Sequence, residues 1–142
     1  VAITAGICDS FKLECLPTAA GIHFSGDTYK IALYTSAATL SPSTTVYSAT
    51  NEVAGTGYAA GGQALSGLQT ALDGSTAMLV WTTDPVWAAS TITARGALIY
   101  NSSKANRAIC VLDFGSDVTS TNGPFTVQFP ADVAATALVR MS

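Results

Sequence analysis

Few residues in this chain could carry chemistry, and their spacing does not assemble them. His23 is the only histidine, so no histidine pair or histidine metal cluster can form. A Ser–His–Asp arrangement would need it, with Asp9 or Asp27 as orienter. No Gly-x-Ser-x-Gly elbow supplies the nucleophile. Cys8, Cys15 and Cys110 are odd in number and follow no framework spacing. On one helix Cys8 and Cys15 would stand about 10 Å apart along the axis, outside the ~7 Å reach of a disulfide. They read as small buried apolar residues. Glu52, Asp73, Asp113 and Asp117 could pair as the carboxylates of a small glycoside hydrolase. Nothing fixes their separations: Asp73 and Asp117 read as turn residues, and Asp113 finds a partner in Arg95. Gly55-Thr56-Gly57-Tyr58-Ala59-Ala60 imitates the glycines of a dinucleotide loop, but no apolar strand precedes it and no helix pattern follows. Asn101-Ser102-Ser103 is a glycosylation sequon whose asparagine also suits the start of a turn. The 117–122 stretch lacks the spaced carboxylates of a calcium loop. No catalytic, metal or cofactor site is expected.

The composition points to contact rather than catalysis. Charged residues are only 11% of the 142, and hydrophobic residues 49%, against a typical charged share of ~25%. A chain this apolar folds, and its surface must be largely Ser, Thr, Ala and Gly. Such a surface gains little solubility from charge and suits a molecule packed in an assembly. With six Lys plus Arg and a net charge of −3, no basic cluster favours nucleic acid. No apolar run approaches the ~18 residues of a membrane span. Val1-Ala2-Ile3-Thr4 shows no basic or long apolar region, so no signal peptide is expected. The cysteine usage fits a reducing cytoplasm.

The elements that must position these residues are short. Residues 4–16 carry Ile7, Phe11 and Cys15 at four-residue spacing, which predicts a helix capped by Thr4 and stopped by Pro17. Thr28–Thr35 alternates as a strand. Residues 36–62 hold little periodicity beyond a β-prone Thr44–Ser48 and read as an exposed arm. Strands are expected at Gln63–Leu72, Thr76–Thr82, Phe125–Phe129 and Ala137–Met141, with 115–124 as a polar loop. Thr91–Phe114 reads as the central hairpin. Pairing residues that sum to 208 sets Ile99 against Ile109, Ala97 against Val111 and Arg95 against Asp113, which makes the Arg95–Asp113 pair a lock on register. Length and pattern together predict one domain over 1–142. It is all-β: a jelly-roll β-sandwich of about eight strands with a short N-terminal helix.

Four segments resemble small structural proteins of tailed bacteriophages: Ala2-Ile3-Thr4 with the helix to Leu16, Tyr29–Ser36 (YKIALYTS), Tyr47–Gly62 (YSATNEVAGTGYAAGG), and Thr91–Asn122. Together they cover most of the chain. Within that group the chain is similar to the cement, or capsid decoration, protein of short-tailed phages such as the Bordetella phage. The resemblance implies a jelly roll with no enzymatic activity and no cofactor. It implies a homodimer on the outer capsid surface of the virion, assembled in the host bacterial cytoplasm and clamping neighbouring major capsid subunits. No contact residue of that family maps onto a position here. The contacts are expected in the N-terminal segment and the Ser36–Gly62 arm, with Phe11, Tyr47, Tyr58 and Trp87 as candidates. A tail- or fibre-associated protein that binds a host surface glycan is the alternative. An exposed Trp81 or Trp87 beside a polar groove would favour it.

Overall fold

A computed structural model describes residues 2–14, 26–130 and 139–141. His23, Cys15 and the connector at 131–136 lie outside the described residues. The chain is all-β, with antiparallel strands throughout its two sheets. In order the elements are β1 (Gly6–Ile7), α1 (Asp9–Glu14), β2 (Tyr29–Tyr34), β3 (Gln63–Ala64), β4 (Leu68–Asp73), β5 (Thr76–Trp81), β6 (Val86–Asn101), β7 (Arg107–Thr126) and β8 (Val139–Met141). One sheet runs β1-β7-β6-β2-β3 and the other β4-β5-β8.

The expected helix over 4–16 is replaced by a strand followed by the six-residue α1. Gly6 and Ile7 pair with Val111 and Cys110 on the edge of β7. The Cys8 N–H donates to the Ile109 carbonyl (2.9 Å) and that of Asp9 to Pro42 (2.9 Å). Those extended bonds hold the first residues out of helical geometry, and a helix this short has little intrinsic stability.

The central hairpin is longer than expected. β6 and β7 pair from Asn101↔Arg107 out to Val86↔Thr126, so 115–124 is strand and not a loop. The reason is a series of hydroxyls. Ser90 and Ser120 are buried and share a hydrogen bond of 2.8 Å, and Thr93 bonds Thr119 at 2.9 Å. Cross-strand pairs of this kind hold polar strands together.

The register is also corrected. Tyr100 faces Ala108, but Ile99 faces Cys110, Leu98 faces Val111 and Ala97 faces Leu112. Ile109 is an extra residue on β7, a bulge that shifts the pairs from Ile99 to Gly96 by one. Arg95 therefore does not sit opposite Asp113; Gly96 does. The ion pair forms diagonally, with Arg95 Nε donating to Asp113 Oδ1 at 3.2 Å. A wider irregularity follows, since Ala94 faces Val118. Gly115 takes the left-handed conformation there (φ 82°), and its N–H donates to Asp113 Oδ1 at 2.9 Å. Asp113 thus pins the distortion at Gly115 as well as Arg95.

The expected strand over 63–72 is split. Gly67 adopts φ 76° between β3 and β4, which breaks the alternation. The main core lies between the sheets, where Ile31, Leu33, Ile99, Trp81 and Val139 are buried. The Tyr29 and Trp81 rings meet edge-on at 5.7 Å.

Arg95→Ala is expected to cost less than about 1 kcal/mol, as for other surface pairs. Asp113→Ala is expected to cost more, because it also removes the acceptor of Gly115. The Gly115 N–H first, and Arg95 second, hold the Asp113 carboxyl below its ordinary value. Its contribution is therefore full above the unfolded carboxylate pKa of ~3.9 and lost as pH falls through the lower folded value. Urea unfolding of both variants from pH 7 to pH 2 checks the order and the window.

Candidate functional site

The arm is where the sequence and the structure differ most. Residues 36–62 do not stand free: they strap across one face of the central sheet. The strap begins on the outer edge of β7, where the Ala108 N–H donates to Thr45 O (2.9 Å) and that of Tyr47 to Asn106 O (2.9 Å). It ends on the outer edge of β2, where the Val53 N–H donates to Leu33 O (2.9 Å) and that of Thr35 to Asn51 O (3.0 Å). Between these edges Tyr47 stacks on Tyr100 of β6, with ring centroids 4.7 Å apart and planes at 17°. Farther on, Thr56 bridges Thr91 and so continues the edge of β6 where β2 has ended. The strap satisfies backbone groups that an open sheet edge would leave exposed.

Glu52 holds the strap down. Its Oε1 accepts from the Tyr58 hydroxyl (2.6 Å) and the Gly61 N–H (2.7 Å), and its Oε2 from the Tyr47 hydroxyl (2.7 Å). Tyr58 is itself fixed to the sheet, since its hydroxyl accepts the Leu33 N–H at 2.9 Å. The Tyr100 hydroxyl donates to Gly61 O (2.7 Å) and that of Tyr34 to Ser48 O (2.7 Å). Burial first, and the Glu52 charge after it, push these phenols up: Tyr100 to about 12, and Tyr34, Tyr47 and Tyr58 higher still. The cluster is thus built to keep the phenols protonated as donors, Tyr47 and Tyr58 to the carboxylate and Tyr34 and Tyr100 to backbone carbonyls. A general base would need the opposite bias.

Of the residues expected at subunit contacts, Phe11 and Trp87 are buried in the chain's own core, at 2% and 6% exposure. Tyr47 and Tyr58 are half-buried, with their hydroxyls turned inward to Glu52. An aromatic ring that fills a core and one that fills an interface look the same in a sequence. Trp81 is buried as well, so neither tryptophan offers a face to a sugar.

The other candidate groups are dispersed. Glu52 lies in the strap, Asp73 at the end of β4, and Asp113 and Asp117 on β7. Among the described residues no group of three or more His, Cys, Asp and Glu could hold a metal ion. Asn101 of the sequon is fully buried, and its amide donates to Asp27 Oδ2 at 2.8 Å. Lys104 pairs with Asp27 Oδ1 at 2.7 Å, which ties the hairpin loop to the start of β2. The glycines at 55–57 serve a close approach. Gly57 adopts φ 84°, and a Cβ there would strike the Ala89 carbonyl.

The sequence offers Glu52 only as half of a catalytic pair. The signal for its real setting was present: it is the one charged residue between Ser36 and Gly62, with a tyrosine on either side. What the strap shows to solvent follows from that. Its exposed residues, among them Thr45, Val46, Ala49, Thr50, Ala54 and Thr56, are all uncharged. Compared with family models, curated proteins and solved structures, the chain matches none of them.

Glu52→Ala is expected to destabilise the chain by roughly 2–4 kcal/mol, since three donors lose a charged acceptor. Tyr58→Phe is expected to cost about 1–3 kcal/mol through the stranded Leu33 N–H. Denaturant titration gives the magnitudes, and faster amide exchange at Leu33 and Gly61 locates them. The raised phenol values also set an alkaline limit. Their stability is full below the unfolded tyrosine pKa of ~10 and drains as pH rises through the folded values, the Tyr100 step at about 12. Phenolate absorbance should therefore rise together with unfolding, and not ahead of it.

Proposed function

We propose that this chain is a non-enzymatic cement, or decoration, protein of a bacteriophage capsid. In this reading it binds the outer surface of the shell as a homodimer and clamps neighbouring major capsid subunits. The observation that carries the proposal is the strap: a latched, ordered surface without one exposed charge. Interface centres are depleted in charged residues, because an uncharged surface sheds its water at little cost. A latched strap also loses little conformational entropy on docking. Clamping needs no reacting group, only a complementary surface repeated around the shell, where each linked contact raises the effective concentration for the next.

The resemblance of residues 29–36, 47–62 and 91–122 to phage structural proteins supplies the shell as partner. The jelly-roll arrangement belongs to the same reading. A crystal structure of the full chain tests whether the five- and three-stranded sheets join as two Greek keys.

Purified virions that contain the chain are expected to carry it in a fixed ratio to the major capsid protein. Electron cryo-microscopy should place it on the outside of the shell. A few copies per particle would move it to the tail, and absence from particles would end the reading. Ala49→Glu and Thr50→Lys each put a charge on the strap without touching the Glu52 cluster. Each is expected to weaken co-sedimentation with shells at least about tenfold while leaving the melting temperature unchanged.

A further inference from the structure

The second sheet ends on a strand that nothing among the described residues covers. β4 pairs with β5 on one side only. Its residues from Gln69 to Asp73 are all exposed, and Leu72, at 70%, is the most exposed large apolar side chain described. Natural edge strands are blunted by proline, lysine or bulges. LQTALD has none of these, and its ladder to β5 is regular from Leu68↔Trp81 to Asp73↔Thr76.

The direction of its backbone groups can be read from one bond. The Thr82 N–H donates to the Gly67 carbonyl at 2.9 Å. In an antiparallel ladder bonded pairs alternate, so Gln69, Ala71 and Asp73 also bond to β5. The N–H and C=O groups of Leu68, Thr70 and Leu72 therefore point outward.

We propose that β4 is a self-pairing edge, whose occupant is β4 of a second copy of this chain, antiparallel about a twofold axis at Thr70. In that register Thr70 faces Thr70, and Leu72 of each copy faces Leu68 of the other. All three outward-facing residues meet outward-facing partners, so every edge N–H and C=O finds its bond. On the opposite side of the sheet Gln69 faces Ala71. The strand's only charge, Asp73, falls opposite Gly67 and away from its own copy, so the seam contains no like-charge contact. Centring the pair on Ala71 instead would set Leu68 against the turn residue Gly74 and Leu72 against Thr70. The Thr70 register places the most exposed leucine against Leu68, which already packs on the main core. The product is one continuous sheet, β8-β5-β4-β4-β5-β8, built by strand addition.

This gives the homodimer of the proposed function its seam and rests on that reading for the dimer alone; no capsid is needed to test it. Sedimentation velocity of the full chain, from low to several hundred micromolar, should show a monomer–dimer equilibrium. Amide exchange should slow with concentration at Leu68, Thr70 and Leu72, and not at Gln69 and Ala71, which are already bonded to β5. Thr70→Pro removes an outward N–H that β5 does not use, as edge strands tolerate. Leu72→Lys places a charge in the seam. Each is expected to weaken dimerisation at least about tenfold with an unchanged circular dichroism spectrum. If Thr70→Pro fails to fold, Leu72→Lys and the alternating exchange pattern still decide. A dimer unaffected by Leu72→Lys, or protection that ignores the alternation, would overturn the seam. So would a chain that stays monomeric at every concentration. A monomer that still co-sediments with shells would sink the seam and leave the shell reading standing.

Discussion

The fold depends on one carboxylate that is shared among neutral donors. Glu52 accepts two phenols and a backbone N–H, and each donor belongs to a different part of the strap. Tyr47 leaves the edge of β7, Tyr58 reaches the backbone of β2, and Gly61 leads into β3. Without that charge the strap would be a long loop with few apolar anchors, of a kind uncommon inside compact domains. With it, the strap covers one face of the central sheet and bonds to the ends of β7 and β2 that β1 and β3 leave unpaired. A hydrogen bond to a charged group contributes more than one between neutral groups, and here three converge on Glu52.

Burial changes along the central hairpin. From Trp87 to Ala94, β6 keeps one face toward solvent, with Ala88, Thr91 and Thr93 exposed and Ile92 and Ala94 buried. From Gly96 to Asn101 every residue is buried: Tyr100 packs under the strap, and Ala97 and Ile99 on the opposite face join the core between the sheets. The hairpin is thus two structures joined at Arg95. The inner part is a doubly covered core ladder, and the outer part a ribbon held by hydroxyl pairs. Asp113 sits at the junction and absorbs the mismatch between them by holding both Arg95 and Gly115.

The latch decides which surfaces are left free. Aromatic side chains, the residues that would anchor either a sugar or a partner, are largely drawn inward. Tyr34, Trp81 and Trp87 are buried, while Tyr47 and Tyr58 are spent on Glu52. What remains outside is a hydroxyl- and alanine-rich strap on one side and the bare edge of β4 on the other. In the proposed reading both are surfaces for association, one by shape and the other by backbone pairing.

The sequence by itself determined the β class, the strand at Tyr29–Tyr34, the Asp73-Gly74 turn and the presence of a central hairpin. Each rests on local alternation or turn chemistry, which neighbours a few residues apart impose. Alternation could not place the Ile109 bulge. Ala108 to Val111 are all buried, and a run that is apolar on both faces looks the same before and after a slip of one residue. Arg95 and Asp113 were legible as partners because opposite charges on adjacent strands can meet over a range of registers; their diagonal geometry was not. Ser120 falls in a stretch that reads as a polar loop, and only the fold buries it against Ser90. The setting of Glu52 was the least legible feature, since its donors come from points on the chain that only the crossing of the strap brings together. Tertiary structure decided which polar groups are enclosed and which residues are left at the surface.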